Sequence, residues 1–322
     1  MDPALFQADL ERKPEMLHAL ADHLEAQDPW GVLPMASRFV LLGMGSSYYA
    51  AAVAAARLRA RGVNAVAELA SSDLLPAADG HTVVVAITAG GGSRETRAAA
   101  AHYRDQCPVV LVTNTLDGDL ARDVEGGVHE LVDMRAGVEH GGVACRSFQH
   151  TLALLIGLEP RVARADLDLP ALVRRAGAAS EDLLSTRAEW LPELRRLLVG
   201  PQGTHVVAPA RRLSSAQQSA LMLREGPRLP AYACETGDWS HVDVYLTTST
   251  DYRMLLLAGS RWEDELLRWT AERGSTVVAV GADVEGAAYS LRYAGDEDDD
   301  VRLLTETLVA ELLAADLWSA EA

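Results

Sequence analysis

Positive charge, cysteine and long apolar runs are all scarce in this chain of 322 residues, and each shortage removes a class of function. Lys and Arg number 29 against 46 Asp and Glu, which gives 29 − 46 = -17 formal charges at pH 7. That balance argues against a general nucleic-acid surface, so no nucleic acid is expected as a partner. An anionic ligand must then be met by local donors. The three cysteines (Cys107, Cys145, Cys234) have neither metal-ligand spacing nor an even-numbered disulfide framework, and the N-terminus lacks a basic-then-apolar signal. A cytoplasmic protein is the expectation. No apolar run approaches the roughly 20 residues of a membrane span, so no membrane is expected as a partner either.

What is present is a soluble, globular composition, 49% apolar and 23% charged, in a chain long enough for two domains of about 150 residues. Two stretches stand out: Gly43-Met44-Gly45-Ser46-Ser47-Tyr48 and Thr88-Ala89-Gly90-Gly91-Gly92-Ser93-Arg94-Glu95-Thr96. Each follows a strongly apolar run and opens a segment of helical periodicity. A strand, a glycine-hydroxyl turn and a helix make an anion-binding geometry. Small residues let the backbone close on a ligand, the helix N-terminus offers unpaired N–H groups, and hydroxyls add neutral donors. Two such turns can face one phosphate.

Residues 1–36 read as a helical lead-in. From Phe39 onward, apolar runs at 38–43, 82–87 and 108–113 alternate with helical stretches at 48–61, 94–106 and 143–157, with a short strand at Ala65 to Leu69. This βαβ rhythm predicts an α/β domain over 37–160, built on a parallel sheet covered on both faces. Residues 161–198 read as a helical connector punctuated by Pro170 and Pro192. The rhythm restarts over 199–322, with strands at 204–208, 253–258 and 275–280 and helices at 212–225, 261–273 and 302–318, so a duplicated α/β unit is expected. Asp296-Glu297-Asp298-Asp299-Asp300 precedes the last helix, where carboxylates favour the positive end of the helix dipole. A metal site is the competing reading of that run. Capping is preferred and no metal is expected.

The first turn has two of the three glycines of a dinucleotide fingerprint, and Glu68 lies 23 residues past Gly45. Tyr48, however, occupies the place of the third glycine, which permits close helix-on-strand packing. The second turn lacks the lysine of a Walker loop. A glycine turn without any ligand remains the alternative for either.

The two turns resemble those of the sugar isomerase (SIS) domain family, and in particular the isomerase half of glucosamine-6-phosphate synthases, where Gly-Thr-Ser-Tyr and Ser-Gln-Ser-Gly-Glu-Thr hold the sugar phosphate. Gly45-Ser46-Ser47-Tyr48 and Thr88 to Ser93 align with these without gaps. Asp9-Leu10 with Pro14, and Ala136-Gly137-Val138-Glu139 through Phe148, resemble two further segments. From Leu223 to His241 the chain resembles the segment that carries the catalytic residues there, with Glu225, Gly237, Asp238 and His241 falling on a Glu, Gly, Glu and His.

The resemblance implies two tandem SIS domains, each a parallel sheet flanked by helices in a flavodoxin-like three-layer α/β/α arrangement. It implies a phosphorylated sugar or amino sugar as ligand, held by Gly45, Ser46, Ser47, Thr88, Gly90, Gly91 and Ser93, with Arg146 standing where the relatives have a lysine. Glu225 falls on the carboxylate that moves a proton between C1 and C2 of an open-chain sugar. His241 falls on the histidine of ring opening, which in the relatives reaches in from the neighbouring subunit, so a homodimer is implied. No cofactor is implied, because acid and base alone carry enediol chemistry. The expected activity is an aldose–ketose (amino)sugar phosphate isomerase or a related deglycase, without glutaminase activity.

Several departures support a second reading, a non-catalytic phosphosugar sensor. Ala89 and Gly90 replace side-chain donors of the second turn, and Met222 and Ser240 stand where the relatives have lysines. The relatives' closing tail is also missing. A changed ligand is the expectation that follows.

Overall fold

The apolar runs of the first half become adjacent strands, each followed by a chain segment that recrosses the sheet. The computed structural model describes residues 1–31, 33–122 and 128–321. Two helices open the chain, α1 (Pro3–Glu11) and α2 (Lys13–Ala26). There follow β1 (Arg38–Gly43), α3 (Ser46–Ala60), β2 (Asn64–Leu69), β3 (Thr82–Thr88), α4 (Arg94–Tyr103), β4 (Val109–Thr113), the single-turn α5 (Asp119–Arg122) and β5 (Val128–Asp133). Helices α6 (Arg146–Ile156), α7 (Leu158–Ala163) and α8 (Leu169–Leu198) come next. The remainder runs β6 (Thr204–Ala208), α9 (Leu213–Glu225), β7 (Ala231–Glu235), α10 (Thr236–Trp239), β8 (Arg253–Leu257), α11 (Glu263–Glu272), β9 (Thr276–Val280), β10 (Tyr289–Leu291), α12 (Asp299–Thr305) and α13 (Thr307–Glu321).

The strands form two five-stranded sheets, β2-β1-β3-β4-β5 and β10-β9-β8-β6-β7, parallel throughout. Both have the same order: the first strand of the sheet lies between the second and the third. The α/β expectation therefore holds in each half, with two parallel sheets flanked by helices.

The chain separates into two compact units. One comprises Met16–Val138 and Arg146–Val173, the other Met1–Glu15, Glu139–Cys145 and Arg174–Ala322. The lead-in expected over 1–36 is thus divided between them, as is the connector expected over 161–198. In the first unit, Val40, Leu42, Val84, Ala86, Val109 and Leu111 on the strands pack with Ala99 and Tyr103 of α4. In the second, Val207, Met254 and Leu256 pack with Trp239, Tyr252 and Leu266.

Three details differ from the sequence expectations for physical reasons. Pro192, expected as a break, lies inside α8; buried Leu183, Trp190, Leu194 and Leu198 hold that helix together across the lost N–H. Pro170 sits in its first turn, where a missing N–H costs little. The final helix is two, separated at Glu306, which is fully buried and ion-paired with Arg212.

The acidic run caps α12 as expected, Asp298 accepting from the Asp300 amide (2.8 Å). Asp296, Asp298 and Asp299 are further neutralised by Arg292, Arg175 and Arg211. Among the described residues no helix is long and apolar enough to cross a membrane.

Candidate active site

In an open parallel sheet, ligands bind beyond the carboxyl ends of the strands where the strand order reverses, because the connections there leave on opposite faces and open a crevice. In the Met16–Val138 unit that point lies between β1 and β3, which pair in parallel from Arg38↔Thr82 to Leu42↔Ala86. The turn 43–48 follows β1 and the turn 88–93 follows β3. The structure therefore brings the two predicted turns side by side.

The first turn is shaped by two glycines. A Cβ on Gly43 would lie 2.7 Å from the backbone of Ser47 and Tyr48, so only glycine lets α3 start this close to the strand. Gly45 has φ +50° and precedes Ser46, the first residue of α3. No side chain caps this helix. The Ser47 amide donates to the Met44 carbonyl (3.1 Å) and the Tyr49 amide to the Gly45 carbonyl (3.0 Å), which leaves the amides of Ser46 and Tyr48 at the helix start, with the partial positive charge of the terminus behind them. The hydroxyls of Ser46, Ser47 and Thr88 make no hydrogen bond within the chain among the described residues.

The second turn is closed by its own residues. Ser93 caps α4: its hydroxyl accepts from the Thr96 amide (3.2 Å) and donates to the Glu95 carboxylate (3.1 Å). A backbone N–H first, and the Ser93 bond second, hold the exposed Glu95 carboxyl below its ordinary range. The Ala89 carbonyl accepts from the Asn114 amide (3.1 Å) and from the hydroxyls of Thr113 (3.4 Å) and Thr115 (3.3 Å), which pins the turn to the segment after β4. Gly91 has φ +65° and would carry a Cβ 3.4 Å from Gly118. Gly90, where the relatives have a hydroxyl, faces open space.

Glu225 and His241 both belong to the other unit, on either side of β7. Glu225 is the last residue of α9, half-buried, and the helix ends there because Gly226 and Pro227 follow. A Cβ on Gly226 would meet the Trp318 indole at 3.2 Å, so the turn lies tightly on α13. Burial raises the Glu225 carboxyl above its ordinary range; Glu139 raises it further, and Arg224 opposes both.

Glu139 was not among the predicted site residues. Its signal was the Ala-Gly-Val-Glu segment, and its own carboxylate accepts from the Cys145 amide (2.7 Å).

His241 is exposed, in the loop after α10, and its amide donates to the Asp238 carbonyl (2.8 Å). Arg146, the first residue of α6, is completely buried and donates to the Val138 carbonyl. Met222, in a lysine's place, is buried and accepts from the Gln218 amide group through sulfur (3.6 Å).

Residues 33–158 match the SIS domain family. A glutamine–fructose-6-phosphate aminotransferase (isomerizing) from Aeropyrum pernix is 28% identical over 258 residues, 72% of this chain and 40% of that protein. The chain spans less than half the length of the curated relatives it matches. Among solved structures, the C-terminal domain of glucosamine-fructose-6-phosphate aminotransferase from Francisella tularensis superposes with a TM-score of 0.80 at 16% identity, covering 98% of this chain and 96% of that one. Tagatose-6-phosphate ketose/aldose isomerase from Escherichia coli does so with a TM-score of 0.80 at 15% identity, covering 100% and 95%. At such identities the structural likeness is one of fold, whereas the match of residues 33–158 to the SIS domain family model extends through both predicted turns.

Proposed function

We propose that the chain is a phosphosugar isomerase, acting on a hexose phosphate or an amino-sugar phosphate, with a deglycase of fructosamine phosphates as its nearest variant. One observation carries this reading: at the strand-order reversal of the first sheet, α3 begins without a side-chain cap, with the amides of Ser46 and Tyr48 beside the hydroxyls of Ser46, Ser47 and Thr88, which have no partner among the described residues. That donor set suits a phosphate dianion and needs no lysine or arginine. Gly45, Gly90 and Gly91 let backbone approach the ligand.

In this reading Glu225 takes the proton from one of the two adjacent sugar carbons and returns it to the other. Its raised pKa makes it a stronger base than an ordinary carboxylate, which suits a group that must both accept and release a proton. His241 serves the ring oxygen during opening, and Arg146 supplies positive charge behind the site. The C-terminal unit is a second domain of the same family, and the working form is a homodimer in which His241 completes a neighbour's site. The Aeropyrum pernix relative and the tagatose-6-phosphate isomerase support the substrate class by their names.

The second reading is a phosphosugar sensor without turnover. It is favoured by Ser93, whose hydroxyl is committed to α4 and Glu95, and by Gly90, which offers no side chain. Incubation in deuterated water with fructose 6-phosphate, glucose 6-phosphate and glucosamine 6-phosphate separates the two. Deuterium entering at C2 or C1 is expected for the isomerase; saturable binding without it establishes the sensor. If none of these compounds raises the melting temperature, both readings fail.

A further inference from the structure

The loop that carries His241 is tied down at both of its ends by one phenol. Trp239, which ends α10, is fully buried and donates its indole N–H to the Tyr252 hydroxyl (2.8 Å). That hydroxyl in turn donates to Asp243 Oδ2 (3.1 Å). Asp243 opens the 3-10 turn Asp243–Thr248, so the two residues joined through Tyr252 bracket His241.

The phenol itself is buried and packed between rings. Tyr252 is 1% exposed, and its ring stacks on His205 (4.0 Å between centroids, 24°), which stacks on Tyr232 (5.1 Å, 25°). His205 Nδ1 reaches the same Asp243 oxygen (3.1 Å). Burial first, and Asp243 second, raise the Tyr252 pKa far above its ordinary value, so the hydroxyl keeps its proton and can donate. The flanks are secured separately. Glu235 accepts from the amides of Gly237 (2.7 Å) and Asp238 (2.9 Å), and Arg273 donates to the Val244 carbonyl (2.7 Å) and the Thr247 hydroxyl (2.8 Å).

We propose that Tyr252 is a positioning residue: its hydroxyl staples Trp239 to Asp243 and thereby sets the place of the exposed imidazole between them. The role at the active centre rests on the reading of His241 given above; the staple itself does not. The physical argument is one of conformational entropy. An exposed side chain on a loop samples many backbone states, and fixing both ends of a short segment removes most of them before a ligand arrives. Without the hydroxyl, the Trp239 N–H and the Asp243 carboxylate each lose a partner in a site where water has little access.

The test is Tyr252→Phe, which removes one oxygen and keeps the ring stack, with Asp243→Asn as the second variant. Hydrogen exchange is read by mass spectrometry on peptides covering 239–248 and, as a control, on β6 and β8. Exchange in 239–248 is expected to quicken about tenfold in Tyr252→Phe while the control strands stay as they were. Unchanged exchange in 239–248 overturns the staple, whether or not the protein has any activity.

Turnover of whichever hexose phosphate the wild type accepts is measured alongside. A fall in kcat of about tenfold with KM unchanged supports positioning. Faster exchange with both constants unaltered overturns it. Should Tyr252→Phe fail to fold, Asp243→Asn is judged by the same outcomes. A wild type that turns over none of the compounds defeats the isomerase reading and removes any catalytic role for the staple, whose existence the exchange data still decide.

Discussion

Lys13, the single lysine of a chain with 28 arginines, is completely buried against Glu311, likewise without exposure. One charge comes from the N-terminal lead-in and the other from the last helix, so the pair joins the two ends of the chain within one unit. Burial raises the Glu311 carboxyl and the Lys13 ammonium opposes the rise. Removing one partner leaves the other buried without compensation. Lys13→Met is expected to lower stability by about 3–5 kcal/mol in urea unfolding at pH 7. The double replacement with Glu311→Met is expected to recover most of that loss. A Lys13→Met protein as stable as the wild type would show that the pair contributes nothing.

Glu225 leads to opposite expectations for stability and for turnover. Its folded-state pKa is raised, so between the unfolded and folded values the native state binds more protons, and stability declines as pH rises through that window. Glu225→Gln should therefore fold at least as stably at pH 7 and lack this decline. Deuterium incorporation at C2 should fall at least a hundredfold while phosphosugar affinity is retained. In the wild type the acid limb of kcat/KM should lie above the ordinary carboxylate range, because the base must be ionised. Undiminished exchange in Glu225→Gln removes the residue from the mechanism.

The asymmetry of the two turns separates binding from capping. Ser46→Ala and Ser47→Ala take away hydroxyls with no partner among the described residues, so each is expected to weaken phosphosugar binding about tenfold with little change in melting temperature. Ser93→Ala removes the α4 cap and should cost about 1 kcal/mol of stability. Calorimetric titration and thermal melts on the three variants check this. Equal losses of affinity in all three would make Ser93 a ligand donor as well.

Gly90 and Gly43 predict contrary responses to a side chain. Nothing lies within 4 Å of a Cβ on Gly90, so Gly90→Ser should fold normally, within about 0.5 kcal/mol, and restore a hydroxyl to the turn. Tighter phosphosugar binding is the expected result. At Gly43 the added carbon meets backbone at 2.7 Å, so Gly43→Ala must push α3 from β1 and lose stability and binding together. Unaltered affinity in Gly90→Ser would place the phosphate away from the second turn.

The strands legible in the sequence include the interior strands of both sheets. β3 and β4 are buried along their whole length, which demands continuous apolar runs such as Thr82–Thr88 and Val109–Thr113. The three strands missed, β5, β7 and β10, are edges. β7 (Ala-Tyr-Ala-Cys-Glu) exposes Tyr232 and Ala233, and β10 is only Tyr289–Leu291, so neither carries an apolar run. In the candidate site, the glycines and hydroxyls could be singled out because their spacing from strands and helices is local, whereas Glu225 was marked by the resemblance of its segment to that of a known family. Glu139 could not be assigned a role in this way, since what matters is its nearness to a helix end far along the chain.

Sequence alone determined that this chain builds two α/β halves, with glycine-hydroxyl turns after the first and third strands. Periodicity, turn chemistry and helix starts are properties of a few consecutive residues, so they can be read without coordinates. Only the tertiary structure decided which hydroxyls are free. Ser46, Ser47 and Ser93 look alike as letters, yet Ser93 is committed to a helix cap and a carboxylate while the other two hydroxyls have no partner among the described residues. It likewise decided that Tyr252 joins Trp239 to Asp243, and that a lone lysine meets Glu311 298 residues away. A side chain's availability depends on every group that packs within hydrogen-bond reach of it, and those groups come from distant parts of the chain.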